Sequence, residues 1–483
     1  MDATCAIQDS IHVFSLVRKY VSRILGTYQD KLGYMLGDIG NDFTFIFASS
    51  YVMVFYSKVM GISTGIIGTM FLIVRCLDAF TDVGMGRLVD IAKPGKDGKF
   101  KCWIRRMCGP VALASFMMYQ SFLREAPMGV RIFYMFLTYI LWGSVFYTSI
   151  NIPYGSMVSV ISPEPKHRSS LSVFRSLGGM LAMIIVTVVS PLMVYYTDEN
   201  GNQAVNAEKF TILAGIFSVC AVICYVLCYF MTTERVKEEK TEEQNNIPKK
   251  TILMVLKEEL KDRAFWGMIL SALFMLFATL MGQGLNNYLF ADYFNNAKAL
   301  SVFSILALPA TFLLLGVSTP INARFGKKEC GVVCFLIGGL TYVLIAILKI
   351  HNVWAFIGVS FIAILAKQCF SMQTYALVTD VIDDREVRTG SRDDGVIYGV
   401  YSFARKLGQA IAGGMSGWAL SAIHYDSLAV AQTEAVKNGI YQISAIFPAV
   451  SYFLCAIALG LIYPLSKKKV EENVKELERR HNK

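Results

Sequence analysis

The sequence predicts an all-α membrane protein of twelve transmembrane helices in two six-helix bundles. Three observations carry the prediction: an apolar composition, long windows without charge, and one polar break at mid-chain. Of 483 residues, 54% are hydrophobic and only 17% charged, with mean hydropathy +0.47, which is not the balance of a soluble enzyme. Asp, Glu, Lys and Arg are missing from Met107–Leu123, Ile132–Pro163, Phe210–Thr233, Ala264–Ala291, Ser301–Ala323 and Asn438–Ser466. Each window reaches or approaches the ~20 residues that span a bilayer. The stretch Thr232–Arg263 is rich in Glu and Lys and lacks a long apolar run, so it reads as a linker between halves.

Adding the spans that carry internal charges gives, in order, 34–60, 64–91, 106–123, 130–160, 169–197, 209–231, 264–294, 299–322, 329–349, 353–382, 394–423 and 438–465. The predicted organisation is an N-terminal extension over 1–30, a bundle over 31–231, the linker 232–263, a second bundle over 264–466 and a tail over 467–483. In the extension, Ile11, Phe14, Val17, Val21, Ile24 and Leu25 recur at helical spacing with Arg18, Lys19, Ser22 and Arg23 between them, the pattern of an amphipathic helix lying on a membrane surface. Even span parity puts both termini on one side. Bases crowd the joints at Arg87–Arg106, Arg324–Lys328, Arg385–Arg392 and Lys467–Lys469, while Asp198–Lys209 and Asp292–Lys298 carry few. Basic loops stay in the cytoplasm, so a multi-pass plasma-membrane protein with both termini cytoplasmic is expected. The net charge of +10 then reflects topology and contact with anionic membrane lipid, not nucleic-acid binding, and no obligate protein partner is evident.

No phosphate loop, histidine cluster or metal-ligand spacing is visible. Cys220, Cys224 and Cys228 share one helix face without a neighbouring His or acid, which reads as small apolar filler. The sequence therefore points away from an enzyme, a resident metal and a cofactor. What remains for chemistry is charge inside the bundle. Asp38 and Asp42 share a face of the first span, and Arg75, Asp78 and Asp82 fall at i, i+3 and i+7 on the second. An ionised side chain at the bilayer centre costs ~2.5–3.5 kcal/mol on insertion scales, so such groups face a watery cavity or a partner. Acids crowded together repel unless a proton or metal ion sits between them. The pattern suggests a site for a transported cation; the competing reading is an Arg75–Asp78 pair that only pins helices.

The run Lys31–Asp42, with Phe55-Tyr56, Gly68–Leu72 and Arg75–Asp82, resembles the glycoside-pentoside-hexuronide:cation symporters, the melibiose-permease-like branch of the major facilitator superfamily. The likeness continues through Tyr139–Gly143, Asn151–Tyr154, Arg175 before Gly178-Gly179, Asp380–Asp383, Tyr398 and Lys406–Gly408. It implies a major-facilitator fold with a central sugar site and an adjoining Na+, Li+ or H+ site. By residue, it implies a cation site at Asp78 and Asp82 with Thr148 and Asp42, and a sugar site at Asp42, Arg175 and the position of Asn151. Lys406 would lie near the cation. Apart from the resemblance, Asp38 and Arg75 are expected to serve coupling, and the charged segment with Asp383 and Arg392 reads either as salt bridges between the bundles that close an inner gate or as a solvated loop.

The departures from the family pattern are informative. Asn151 stands where the family has an acid, and two pocket tryptophans fall on Gly155 and Ser371. Lys367 adds a base inside the tenth span, costly unless it snorkels, pairs with an acid, or meets an anionic ligand. Ser371 and Lys367 thus join the expected substrate contacts, and the substrate is expected to be wider or more anionic than a neutral disaccharide, such as a hexuronide. Cation-coupled symport of a glycoside, pentoside or hexuronide is the expected function. Loss of both tryptophans also permits a lysolipid or other amphipathic substrate.

Overall fold

The computed structural model describes the backbone of residues 2–92, 95, 97–162, 164–236, 262–389, 394–429 and 431–481, and their side chains except those of 2–27, 90, 165, 166, 319, 375, 389, 394–404, 406 and 407. Most of the predicted linker therefore lies outside the described residues, as do Arg392 and the Lys406 side chain. The first half of the chain supplies α1 (Asp2–Val54), α2 (Thr64–Ile91), α3 (Lys101–Met117), α4 (Met128–Ile161), α5 (Pro165–Val194) and α6 (Ala207–Met231). The second supplies α7 (Arg263–Tyr293), α8 (Ala299–Ile305 and Ala307–Phe325), α9 (Lys327–Leu348), α10 (Val353–Thr389), α11 (Asp394–Ala422), α12 (Glu434–Ile462) and a tail helix α13 (Lys467–His481).

Among the described residues, eight helices are long and apolar enough to cross a membrane by length and composition alone. Those eight are α4 to α10 and α12; α1, α2 and α11 carry charge or polar residues, and α3 has 17 residues. Polar caps mark several starts. Asn206 accepts from the Lys209 amide, Asp262 from Ala264 and Thr433 from Val436, satisfying amides that have no partner within the helix.

Two expectations need correction. The third helix runs Lys101–Met117 instead of 106–123, because Glu234 from beyond α6 accepts the backbone amides of Lys99, Phe100 and Lys101 at 2.7–2.9 Å and starts the helix early. The fifth stops at Val194, and Tyr195–Thr197 pairs with Gln203–Val205 as a small antiparallel hairpin, β1–β2. The tail 467–481 forms the helix α13. Asn473 of α13 donates to Asp384 at 2.8 Å. The backbone of α1 continues as one helix from the N-terminal extension into the first expected span.

Apolar side chains form two buried clusters. The larger is centred on α1, α3, α4 and α6 and reaches the far ends of α7, α9 and α12; the smaller joins α7, α9, α10 and α12. The halves meet along three seams. On the first, α2 lies against α11 so closely that a Cβ at Gly68 would sit 2.6 Å from the Gly414 carbonyl oxygen, and one at Gly417 would sit 2.8 Å from the Gly68 Cα. On the second, Asn287 of α7 donates to the Ser50 carbonyl of α1 at 2.7 Å, and on the third, Ser301 of α8 donates to the Val188 carbonyl of α5 at 3.0 Å.

Cross-half bonds gather at the end away from the termini. Lys58 pairs with Asp292 at 2.5 Å, and Tyr425 donates to the same carboxylate at 3.0 Å. Ser57 and Tyr288 share a hydrogen bond of 2.7 Å, and the hairpin docks on Asn295 through Gly201 and Gln203. π-helical turns end α1 over Phe55–Val59 and α7 over Leu289–Tyr293. These widened turns carry Lys58 and Asp292.

Because small residues let α2 and α11 approach, Gly417→Leu should lower stability by about 1–3 kcal/mol through overpacking. Gly316→Leu, where a Cβ would meet no atom within 4 Å, should be close to neutral. Thermal unfolding of both variants in detergent, followed by tryptophan fluorescence, checks the difference.

Candidate cation and substrate site

Between the seams lies a polar cavity of about 320 Å³. Helical periodicity brings Asp38, Asn41, Asp42 and Phe45 of α1 to its wall, facing Arg75, Asp78 and Asp82 of α2. α4 contributes Trp142, Tyr147, Thr148 and Asn151; α5 contributes Arg175; α11 contributes Arg405 and Gln409.

The α2 acids meet α4 as two matched rungs. Ser144 donates to Asp78 in a short hydrogen bond, and Thr148 donates to Asp82 at 2.9 Å. Both pairs are one helical turn apart on both helices, so the rungs stack. The α4 backbone is π-helical over Leu141–Tyr147, a form concentrated at functional sites. There the Thr148 hydroxyl also lies 3.2 Å from the Gly143 carbonyl oxygen. Arg75 is 3.3 Å from the second Asp78 oxygen and lies over the Phe45 ring. The pairing expected of Arg75 and Asp78 is therefore present, alongside a second acid one turn away.

A second pair of acids stands on α1. Arg175 donates to Asp38 at 2.9 Å and lies over the Tyr154 ring. Tyr154 in turn donates to the Tyr34 carbonyl. Asp42 has no hydrogen-bond or ion-pair partner among the described residues. The backbone of α5 comes close to both acids at Gly179, where a Cβ would sit 2.7 Å from an Asp42 oxygen and 3.0 Å from an Asp38 oxygen. Asn41 receives the Tyr225 hydroxyl at 2.8 Å, while its amide nitrogen is buried without a partner.

Asp38, Asp42, Arg75, Asp78, Asp82, Thr148, Asn151 and Arg175 are thus brought to one cavity. Lys367 is not among them; it lines an adjoining cavity of about 190 Å³ that shares the Phe45 wall. Ser371, one turn along α10, is exposed and outside the lining of both cavities. Near Asp383, Arg388 pairs with Asp384 of its own helix at 2.7 Å and with Asp262 at the start of α7, and Lys327 of α9 pairs with Asp380 at 2.6 Å; Arg392 lies outside the described residues.

Ser144, Asn41, Tyr147, Arg405 and Gln409 were not legible as site residues. A serine or amide in an apolar span is cheap enough to pass for packing. One signal was there to read: Ser144 and Thr148 repeat the four-residue spacing of Asp78 and Asp82.

The chain matches the family described as MFS/sugar transport protein over residues 33–467. It is 28% identical over 454 residues to the glucuronide carrier protein homolog of Escherichia coli (strain K12), covering 93% of this chain and 95% of the relative. It is 27% identical over 467 residues to the isoprimeverose transporter of Lactiplantibacillus pentosus, covering 94% and 92%. Among solved structures it resembles the D323A mutant of the nucleoside transporter NupG, with TM-score 0.64 and 14% identity over 90% of this chain and 100% of the other, a likeness of fold. The chain belongs to the MFS/sugar transport protein family, an integral multi-pass membrane transporter and not an enzyme.

Proposed function

We propose that the chain is a cation-coupled symporter of a glycoside, pentoside or hexuronide, working in the plasma membrane by alternating access with both termini cytoplasmic. The observation that carries this reading is the pair of rungs: Asp78 with Ser144 and Asp82 with Thr148, in one cavity with Asp42, which has no partner among the described residues. Carboxylate and hydroxyl oxygens are the ligands that small hard cations take. A Na+ or Li+ passenger would use these oxygens, whereas H+ would bind one carboxylate. The names of the glucuronide and isoprimeverose relatives support a sugar class of substrate.

The coupling follows from charge. With Arg75 holding one oxygen of Asp78, a bound cation offsets the remaining negative charge and relieves repulsion across the cavity toward Asp42. Asp42, Asn151 and Arg175 then face sugar hydroxyls, with Arg175 held in orientation by Asp38. Cation and sugar raise one another's affinity by the same factor, as linkage requires. Arg405 and Gln409 of α11 line the same cavity, so a ligand there touches both halves and senses their relative position.

Halves joined at the end away from the termini describe a carrier closed to the outside. Exposed Ser156, Ser159, Ser172 and Ser176, between the cavity and the other end, suit a watery approach from the cytoplasm. Breaking Lys58–Asp292 and closing that approach would turn the site outward. For a neutral sugar carried with one cation, the potential contributes ~2.3 kcal/mol per 100 mV, about fifty-fold accumulation.

In proteoliposomes, Asp78→Cys and Asp82→Cys should each abolish cation-driven uphill sugar uptake while leaving exchange; full uphill uptake in both removes the cation assignment. Arg175→Ala should lose sugar binding itself, measured by ligand-induced thermal stabilisation. Gly179→Val pushes a side chain into the Asp38–Asp42 pair and should lose sugar-induced stabilisation. Gly109→Val, at a position with open space around it, should keep it.

A further inference from the structure

We infer that the adjoining cavity around Lys367 is an anion subsite, so that the transported sugar carries one carboxylate or sulfonate held by the second half of the carrier. This rests on the symport reading above and names the charge of its substrate.

Lys367 lines a cavity whose recorded walls contain no Asp or Glu. Among the described residues, no salt bridge or hydrogen bond engages its ammonium group, whereas Arg75 and Arg175 are paired with Asp78 and Asp38. Snorkelling gives no relief. Lys367 lies 14 residues into α10 from Val353, about 21 Å at 1.5 Å per residue, and a lysine side chain cannot cover that distance. An ammonium supplies three donors and no acceptor, and inside a membrane domain it calls for a negative partner.

The other polar groups on that wall are neutral. Thr279, Gln283 and Asn286 follow one face of α7, with Ser49 of α1 and Ser304 of α8 opposite. Hydroxyls and amides of this kind hold sugar hydroxyls or the remaining oxygens of an anion without competing for the ammonium. Phe45 is common to this cavity and to the acid-lined one. A ligand passing beside Phe45 would place its anionic group near Lys367 and its sugar hydroxyls toward Asp42 and Arg175. The cation and the anionic group then occupy opposite halves, and a load of one cation and one monoanion crosses without net charge. Accumulation would follow the cation's concentration gradient and be indifferent to membrane potential.

Proteoliposomes of wild type, K367M and K367R, loaded to impose a Na+ or proton gradient with the potential set separately by valinomycin, test this. The probes are labelled p-nitrophenyl β-D-glucuronide, a 6-sulfonated glucoside and p-nitrophenyl β-D-glucoside. Wild type should carry at least one charged probe about tenfold better than the neutral one, without response to potential. K367M should lose about tenfold in the ratio of charged to neutral uptake, and K367R should retain the preference. The two charged probes distinguish carboxylate from sulfonate. Equal charged uptake in wild type and K367M, or wild-type preference for the neutral glucoside, overturns the subsite while cation-driven glucoside uptake would leave the symport reading standing. Absence of cation dependence for every probe removes the symport reading instead. Should K367M not fold, competition on wild type decides: charged and neutral sugars displacing label equally well would overturn the subsite.

Discussion

The structure depends on holding carboxylates inside a membrane domain. Each acid there must be met by a donor, a base or a passenger, because lipid offers none. Asp78 and Asp82 are met by Ser144 and Thr148 on α4 and, in part, by Arg75; Asp38 is met by Arg175 on α5. Those bonds tie α1, α2, α4 and α5 around one cavity. The π-helical Leu141–Tyr147 segment lies where Ser144 and Thr148 meet the two acids. Asp42 has no hydrogen-bond or ion-pair partner among the described residues and faces the same cavity.

A carrier must also separate its halves without dissolving them. The seams divide that labour. Gly68, Gly414 and Gly417 bring α2 and α11 backbones into contact, where dispersion at short range replaces side-chain interlocking. The far end is held differently, by Lys58, Asp292 and Tyr425 with the Ser57–Tyr288 bond. These are few, directional and polar.

Much of this was legible because charge inside an apolar run is conspicuous. Asp38, Asp42, Arg75, Asp78, Asp82 and Lys367 stand out wherever the chain is otherwise lipid-soluble, and their helical spacing places them on common faces. Partners were less legible. That Arg175 pairs with Asp38, or that Lys367 opens into a second cavity beside Phe45, follows from helices distant in sequence. The early start of α3 was hidden for a similar reason: Glu234, over 130 residues later, supplies its cap. The hairpin at Tyr195–Val205 was hidden because three-residue strands leave too little alternation to read.

By itself the sequence determined that the chain is a helical membrane protein, where its apolar spans lie, and that acids and bases sit inside them, since these are consequences of local hydropathy and helical period. Only the tertiary structure decided which charge meets which, which end of the molecule is closed, and that the buried bases fall into two cavities. Those outcomes depend on how helices far apart in sequence rotate and cross, and the 3.6-residue period of a single helix carries no information about its neighbours.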